Sequence, residues 1–247
     1  MKLPLNPIRS NGPARRELGV SLIVVMVMLL LGSIVVLGST RVGWLNEKLV
    51  GNQGDYQRTF AAAEAVLRDA ERDIKGLQND GITPCNASAA FVGCRDFGSG
   101  RPFFPQDEDD LDTLKARIGS NVCLQGICLP ATVTAFSSAT FPDSLGTMTA
   151  GTGTAAIAAT YGQFTGLTPA AVGNPLLTGA SARAWYWVEV FHYESASGIL
   201  NATANVPAPD MAHPFVYRIT AYVQGQKPGS RVWLRSIFVP LPQNQNK

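Results

Sequence analysis

The sequence has 247 residues, 46% of them hydrophobic and 15% charged, with a formal net charge of +2. That length allows one or two domains with a buried core, and so small a charge gives no basis for nucleic-acid binding. The charge is uneven: Lys2, Arg9, Arg15 and Arg16 against one acid, Glu17, make residues 1–19 basic, while the remainder is slightly acidic.

Residues 1–14 hold Pro4, Pro7, Gly12 and Pro13 and read as an unstructured tail. From Leu18 to Thr40 no charge occurs. At about 1.5 Å per residue such a helix is roughly 34 Å long, enough to cross a hydrocarbon core of about 30 Å. The basic leader keeps its own end cytoplasmic and sends the C-terminal body outward. Three readings compete at this point. One is a secretory signal cut near Gly38-Ser39, although the apolar run exceeds the usual length of about 7–15 residues. The second is a plain signal anchor. The third is a signal cut after a glycine at the cytoplasmic edge, with the apolar helix retained.

The residues beyond the span favour the third. No proline occurs between Pro13 and Pro84. Apolar positions recur at Leu45, Leu49, Tyr56, Phe60, Ala63, Leu67, Ala70, Ile74 and Leu77, spacings that mark one face of a helix. The pattern predicts one helix from Val20 to Leu77, apolar all round at first and amphipathic later. Glu64–Arg68 and Glu71–Lys75 are i,i+4 pairs of favourable orientation. Gly43, Gly51 and Gly54 weaken the helix just past the span, so a bent or frayed segment is expected there.

The cysteines are Cys85, Cys94, Cys123 and Cys128, all on the exported side. An even count in an oxidising compartment favours disulfides. A zinc site competes, but the usual cysteine pairs with about two to four intervening residues are absent except between Cys123 and Cys128. Among the three connectivities, Cys85–Cys94 and Cys123–Cys128 are favoured because each closes a short loop. No metal and no cofactor is expected. The run from Asp107 to Asp112 is the densest charge in the chain. It lacks the glycine and distal glutamate of a calcium loop, and Asp109 or Asp110 suits the cap of a short helix, Leu111–Ile118. Ala131 to Ala182 contains one charged residue, Asp143, and reads either as a low-complexity loop or as an irregular region with small strands.

Three aromatic and β-branched runs complete the chain, Ala184–Tyr193, Phe215–Gln224 and Arg231–Val239. In the second, Phe215, Tyr217, Ile219, Ala221 and Val223 alternate with polar neighbours such as Arg218 and Thr220. That alternation predicts an antiparallel sheet with one face covered, most economically by the amphipathic half of the long helix. The fold class is therefore α+β.

Several stretches together carry a family resemblance. They are Gly19-Val20-Ser21-Leu22-Ile23 with its apolar helix, Leu45-Asn46-Glu47-Lys48-Leu49-Val50-Gly51-Asn52, and Phe60-Ala61-Ala62-Ala63-Glu64-Ala65-Val66-Leu67-Arg68-Asp69-Ala70-Glu71. Gly126-Ile127-Cys128 and Tyr217-Arg218-Ile219-Thr220-Ala221 are weaker echoes. In these the chain resembles type IV pilins, most closely the minor pilins of the PilX group. The resemblance implies a pilin-like fold, with residues 1–19 a leader, 20–40 a membrane or filament-core helix, 41–78 its amphipathic half and 79–247 a periplasmic head. It implies cleavage by a prepilin peptidase between Gly19 and Val20 and methylation of the new Val20 amine. Two departures stand out. Leu18 precedes Gly19 where the family usually has Lys or Arg, and Val24 occupies the fifth mature position, where most pilins carry glutamate.

In the family that carboxylate is thought to pair with a neighbouring subunit's terminal amine. A subunit at the filament tip has no neighbour above it, so Val24 fits a tip position; the K-type pseudopilins of type II secretion share the trait. The resemblance thus implies a minor pilin that primes assembly, sits in a tip complex and supports adhesion and twitching motility, without catalysis. Its expected partners are other minor pilins, the major pilin, a tip adhesin, the prepilin peptidase, the inner-membrane assembly platform and the membrane, with no nucleic acid. The alternative is a tip pseudopilin of type II secretion. From another class, an exported enzyme would have only His192 and His213 as histidine bases, neither in a nucleophile or metal motif. A membrane-anchored ligand-binding head would use Trp185, Trp187 and Trp233, although strand aromatics are more often core.

Overall fold

The computed structural model describes residues 20–85, 93–95, 100–130, 145–167, 173–178, 183–193, 209–210 and 212–240. The leader, Gly19 included, lies outside them, as do parts of the 131–182 region. The chain divides into two units, one up to Gly51 and one from Asn52 onward.

Helix α1 runs from Val20 to Ile74, 55 residues. It passes through Gly43, Gly51 and Gly54 without a break, so no frayed segment forms there. Its end is a backbone cap. The Gly76 N–H donates to the Asp73 carbonyl (3.0 Å) and the Leu77 N–H to the Arg72 carbonyl (2.9 Å), with Gly76 at φ +63°. A residue with no Cβ takes that left-handed turn without strain, which stops the helix before Leu77. Leu77 instead forms an isolated antiparallel bridge with Pro84.

From Asn52 on, α1 lies under a sheet. Helix α2 is Glu108–Ile118 and is capped by Asp107, whose side chain accepts from the Asp110 N–H (2.9 Å). The helix starts three residues before the expected Leu111, because Asp107 rather than Asp109 or Asp110 supplies the cap; Glu108, Asp109 and Asp110 fill its first turn, where the helix dipole favours anions. Strands β1 (Cys123–Leu124) and β2 (Ile127–Cys128) form a tight hairpin, and β3 is Ala159–Thr160. The long strands are β4 (Ala184–His192), β5 (Phe215–Gln224) and β6 (Arg231–Phe238). Two helical turns, α3 (Leu145–Met148) and α4 (Pro175–Thr178), decorate the connections.

The sheet order is β1-β2-β4-β5-β6, with β3 also on β4. Strands β4, β5 and β6 are antiparallel, as the alternation predicts, with Val188 opposite Ile219 and Ile219 opposite Ser236. The sheet as a whole is mixed, because β2 joins β4 in parallel, Ile127 opposite Val188 and Cys128 opposite Glu189.

The core sits between α1 and one sheet face. Ala62, Ala63, Val66, Ala70 and Ile74 of α1 meet Tyr186, Val188 and Val190 of β4 and Tyr217, Ile219 and Ala221 of β5. The small alanines let the helix approach the sheet closely. A second, smaller cluster covers part of the opposite face, where Trp187 and Tyr222 pack with Met148, Ala158, Cys123 and Cys128.

Candidate functional site

Two features of α1 bear on function, one in each unit. In the first unit, every residue from Ser21 to Val50 is exposed. The helix from Ser21 on is long and apolar enough to cross a membrane, with none of its most apolar window buried. A helix apolar on all sides needs lipid or other such helices around it. Val20 is the first residue of this helix, and Val24 lies on it, 49% exposed, offering a methyl surface and no charge.

In the second unit, α1 turns a polar row toward the loops of the head. Asp55, Thr59, Asp69 and Asp73 are all buried. Asp55 receives the Lys227 N–H (3.1 Å) and the Gln226 N–H (3.3 Å), which fixes the loop joining β5 to β6. That loop comes so near that a Cβ on Gly225 would lie 2.6 Å from the Asp55 carboxylate. Asp69 receives the Gly162 N–H (2.7 Å) and the Thr165 hydroxyl, which fixes the turn after β3.

Asp73 holds the third loop. Its carboxylate pairs with Arg95 Nε at 2.8 Å, both side chains almost wholly buried, and accepts the Tyr186 hydroxyl of β4 at 2.7 Å. The Arg95 guanidinium also donates to the carbonyls of Gln125 and Pro102 and stacks 3.4 Å from the Phe164 ring centroid. One cation therefore ties α1, the β1–β2 turn and Pro102 together, while Asp73 links α1 directly to β4. A buried ion pair is favourable only when its remaining polar atoms also find partners, and here each guanidinium nitrogen and each carboxylate oxygen has one.

Burial pushes the Asp73 carboxyl up, and Arg95 and the Tyr186 hydroxyl act against that. Burial, reinforced by the Asp73 charge, pushes the Tyr186 phenol well above its ordinary value, so it stays a donor. Asp69 is raised to about 6 by burial, against the hydrogen bonds from Thr165 and Gly162.

The cysteines pair as Cys85–Cys94 and Cys123–Cys128, with Cα–Cα distances of 5.5 and 4.2 Å. The first bridge ends one residue before Arg95 and so anchors the segment that delivers it. The second closes the β1–β2 hairpin across the Cys123–Cys128 register pair.

Other expectations resolve differently. Neither Glu64–Arg68 nor Glu71–Lys75 forms an ion pair within 4.0 Å; the Lys75 ammonium sits 5.3 Å from the Phe238 ring centroid instead. The buried face of α1 is rotated from the predicted stripe: Tyr56 is 48% exposed, whereas Asp55 and Thr59 are buried. Donors supplied by three loops outweigh the apolar pattern there. His192 pairs with Glu108 of α2 (2.5 Å), and His213 Nδ1 meets the Gln106 carbonyl (3.0 Å). Both histidines thus brace the start of α2. Trp187 is fully buried, its indole N–H donating to the Met148 carbonyl (3.2 Å), while Trp233 is 42% exposed. Sequence reasoning missed Asp55, Asp69, Asp73 and Arg95. The available signal was the recurrence of aspartates beside the apolar stripe, on the same turns as Thr59 and Ala70.

Two family models match this arrangement in chain order. The PilX N-terminal model covers residues 19–68, and the model described as type IV pilus assembly protein PilX C-term covers residues 124–240. The chain belongs to the PilX family of type IV pilus assembly proteins. The N-terminal PilX match takes in the exposed apolar helix and Asp55; the C-terminal match takes in β2 to β6. Asp73, Arg95 and the Cys85–Cys94 bridge fall between the two. No curated protein and no solved structure matches the chain. The PilX architecture, an apolar N-terminal helix with a C-terminal mixed sheet, is the α+β pilin-like fold that the sequence predicts.

Proposed function

We propose that this PilX-family chain is a minor pilin that primes type IV pilus assembly and sits in the tip complex, supporting adhesion and twitching motility without catalysing a reaction. A prepilin peptidase cuts between Gly19 and Val20, and Val20 is then methylated. Before assembly the chain is a single-pass inner-membrane protein with its leader in the cytoplasm and its head in the periplasm. Segments 20–40 and 41–78 act as filament-core helix and head-bearing helix, and 79–247 as the head. Its partners are other minor pilins, the major pilin, a tip adhesin and the inner-membrane assembly platform.

The observation that carries this reading is α1's fully exposed apolar half with Val24 in place of a carboxylate. A charge in an apolar surround is costly unless paired. A subunit with valine there asks for no partner amine, which suits the subunit above which none is added.

Immunogold labelling of an epitope-tagged chain at native expression tests this. The expected pattern is label at pilus ends, with sharply fewer surface pili in a deletion strain. Label distributed along the shaft, or unchanged piliation in the deletion strain, contradicts it.

A further inference from the structure

The charges that end the apolar stretch form an arrangement of their own. Arg41 is the first charge after the span, and Trp44 and Lys48 lie three and seven residues beyond it, on one face of α1. All three are exposed, Trp44 by 57%. The Lys48 ammonium lies 3.7 Å from the Trp44 ring centroid. Helical side chains lean toward the N-terminus, so Lys48 reaches back toward the apolar stretch and brings its charge to the level of the indole.

The spacing matches a bilayer. Val20 to Thr40 rises roughly 31 Å at about 1.5 Å per residue, one hydrocarbon thickness. Trp44 then stands about 6 Å beyond, within the headgroup layer where amphipathic rings collect. Glu47 is one residue, about 100°, round from Lys48 and, three residues beyond Trp44, borders this face. The face thus sets two cations and an indole, with one acid at its border, at the depth of the lipid phosphates.

We propose that Arg41, Trp44 and Lys48 form a headgroup-binding collar that holds the subunit at a fixed depth by engaging phospholipid phosphates of the periplasmic leaflet. This rests on the reading of α1 as a membrane span. Trp44 sits among the headgroups, and Arg41 and Lys48 hydrogen-bond and ion-pair with phosphate oxygens. The contact is left behind when the subunit enters a filament, so extraction begins against a defined hold.

The full-length chain, reconstituted in vesicles, tests the collar. Flotation with vesicles of phosphatidylcholine and phosphatidylglycerol first reports the span. Brominated phosphatidylcholines then report depth, with the difference between wild type and Trp44→Phe isolating the Trp44 signal. The expected result is stronger loss of that signal with bromine near the headgroup than with bromine near the chain end. The double variant Arg41→Gln/Lys48→Gln is expected to red-shift the Trp44 emission in these vesicles and to leave it unchanged in vesicles of an uncharged galactolipid. Three results overturn the collar while the span stands: quenching strongest at the chain ends, no quenching, or the same shift in both lipids. Failure of the wild type to float overturns both. All three side chains are exposed, so circular dichroism of the variants is expected to match the wild type.

Discussion

Asp69 and Asp73 are one helical turn apart on a buried face, and the two carboxylates are held differently. Asp73 has a full cationic partner in Arg95; Asp69 has only a backbone N–H and a hydroxyl. Its value of about 6 exceeds the ordinary 3.8 because burial outweighs those two donors, with the Asp73 charge adding to the rise and Arg72 opposing it. The folded state therefore binds this proton more tightly than the unfolded state. The resulting stabilisation is complete below about 3.8 and is lost as pH rises through about 6. Urea unfolding of the detergent-solubilised chain across that window is expected to show the gain on acidification, and Asp69→Asn is expected to flatten it. An unchanged slope in the variant would contradict this role of Asp69. None of it was legible in the sequence. A sequence shows an aspartate beside an apolar helical stripe but not that Gly162 and Thr165, more than ninety positions away, bring it donors. The cysteines were more legible, because a short loop limits which thiols can meet.

Between elements, Arg95 is the pin. It follows directly on the Cys85–Cys94 bridge, and it ties the β1–β2 turn and Pro102 to Asp73 of α1, which itself accepts from Tyr186 of β4. Removing one member of a buried ion pair strands the other charge, at a cost of about 3–5 kcal/mol. Arg95→Met is expected to lose about that much in urea unfolding, while Asp73→Asn/Arg95→Met loses less than the sum of the single changes. Additive losses would mean that the two side chains do not act as a pair. The long elements themselves were readable from periodicity. The absence of proline gives α1, and alternation with aromatic and β-branched residues gives β4, β5 and β6. The two-residue strands β1, β2 and β3 were not readable, since no period fits in two residues, and so the parallel β2–β4 pairing was not either. The face of α1 that the head buries was misjudged for a related reason. An apolar stripe records burial by apolar neighbours, whereas this face is partly buried by loop amides and one arginine.

At the scale of the whole molecule, one helix serves two surroundings. From Ser21 to Val50 its side chains are all exposed and mostly apolar at the start; from Asn52 it holds the sheet and three loops of the head. The N-terminal PilX match crosses that division, covering the apolar helix and its continuation to Arg68, and the C-terminal match covers the sheet. The family was legible because its signature lies in contiguous segments of α1, whereas the head's identity is spread over distant loops. The proposed tip role depends on the helix being retained after a cut at its cytoplasmic edge, since only then is Val24 the fifth residue and the apolar half available to other subunits. Intact-mass and N-terminal peptide mass spectrometry of the chain isolated from membranes and from sheared pili measures this directly. The expected result is a chain beginning at N-methylated Val20, with Gly19-substituted protein remaining full length. A mature chain beginning near Ser39, or one that keeps residues 1–19 in the pilus fraction, contradicts it.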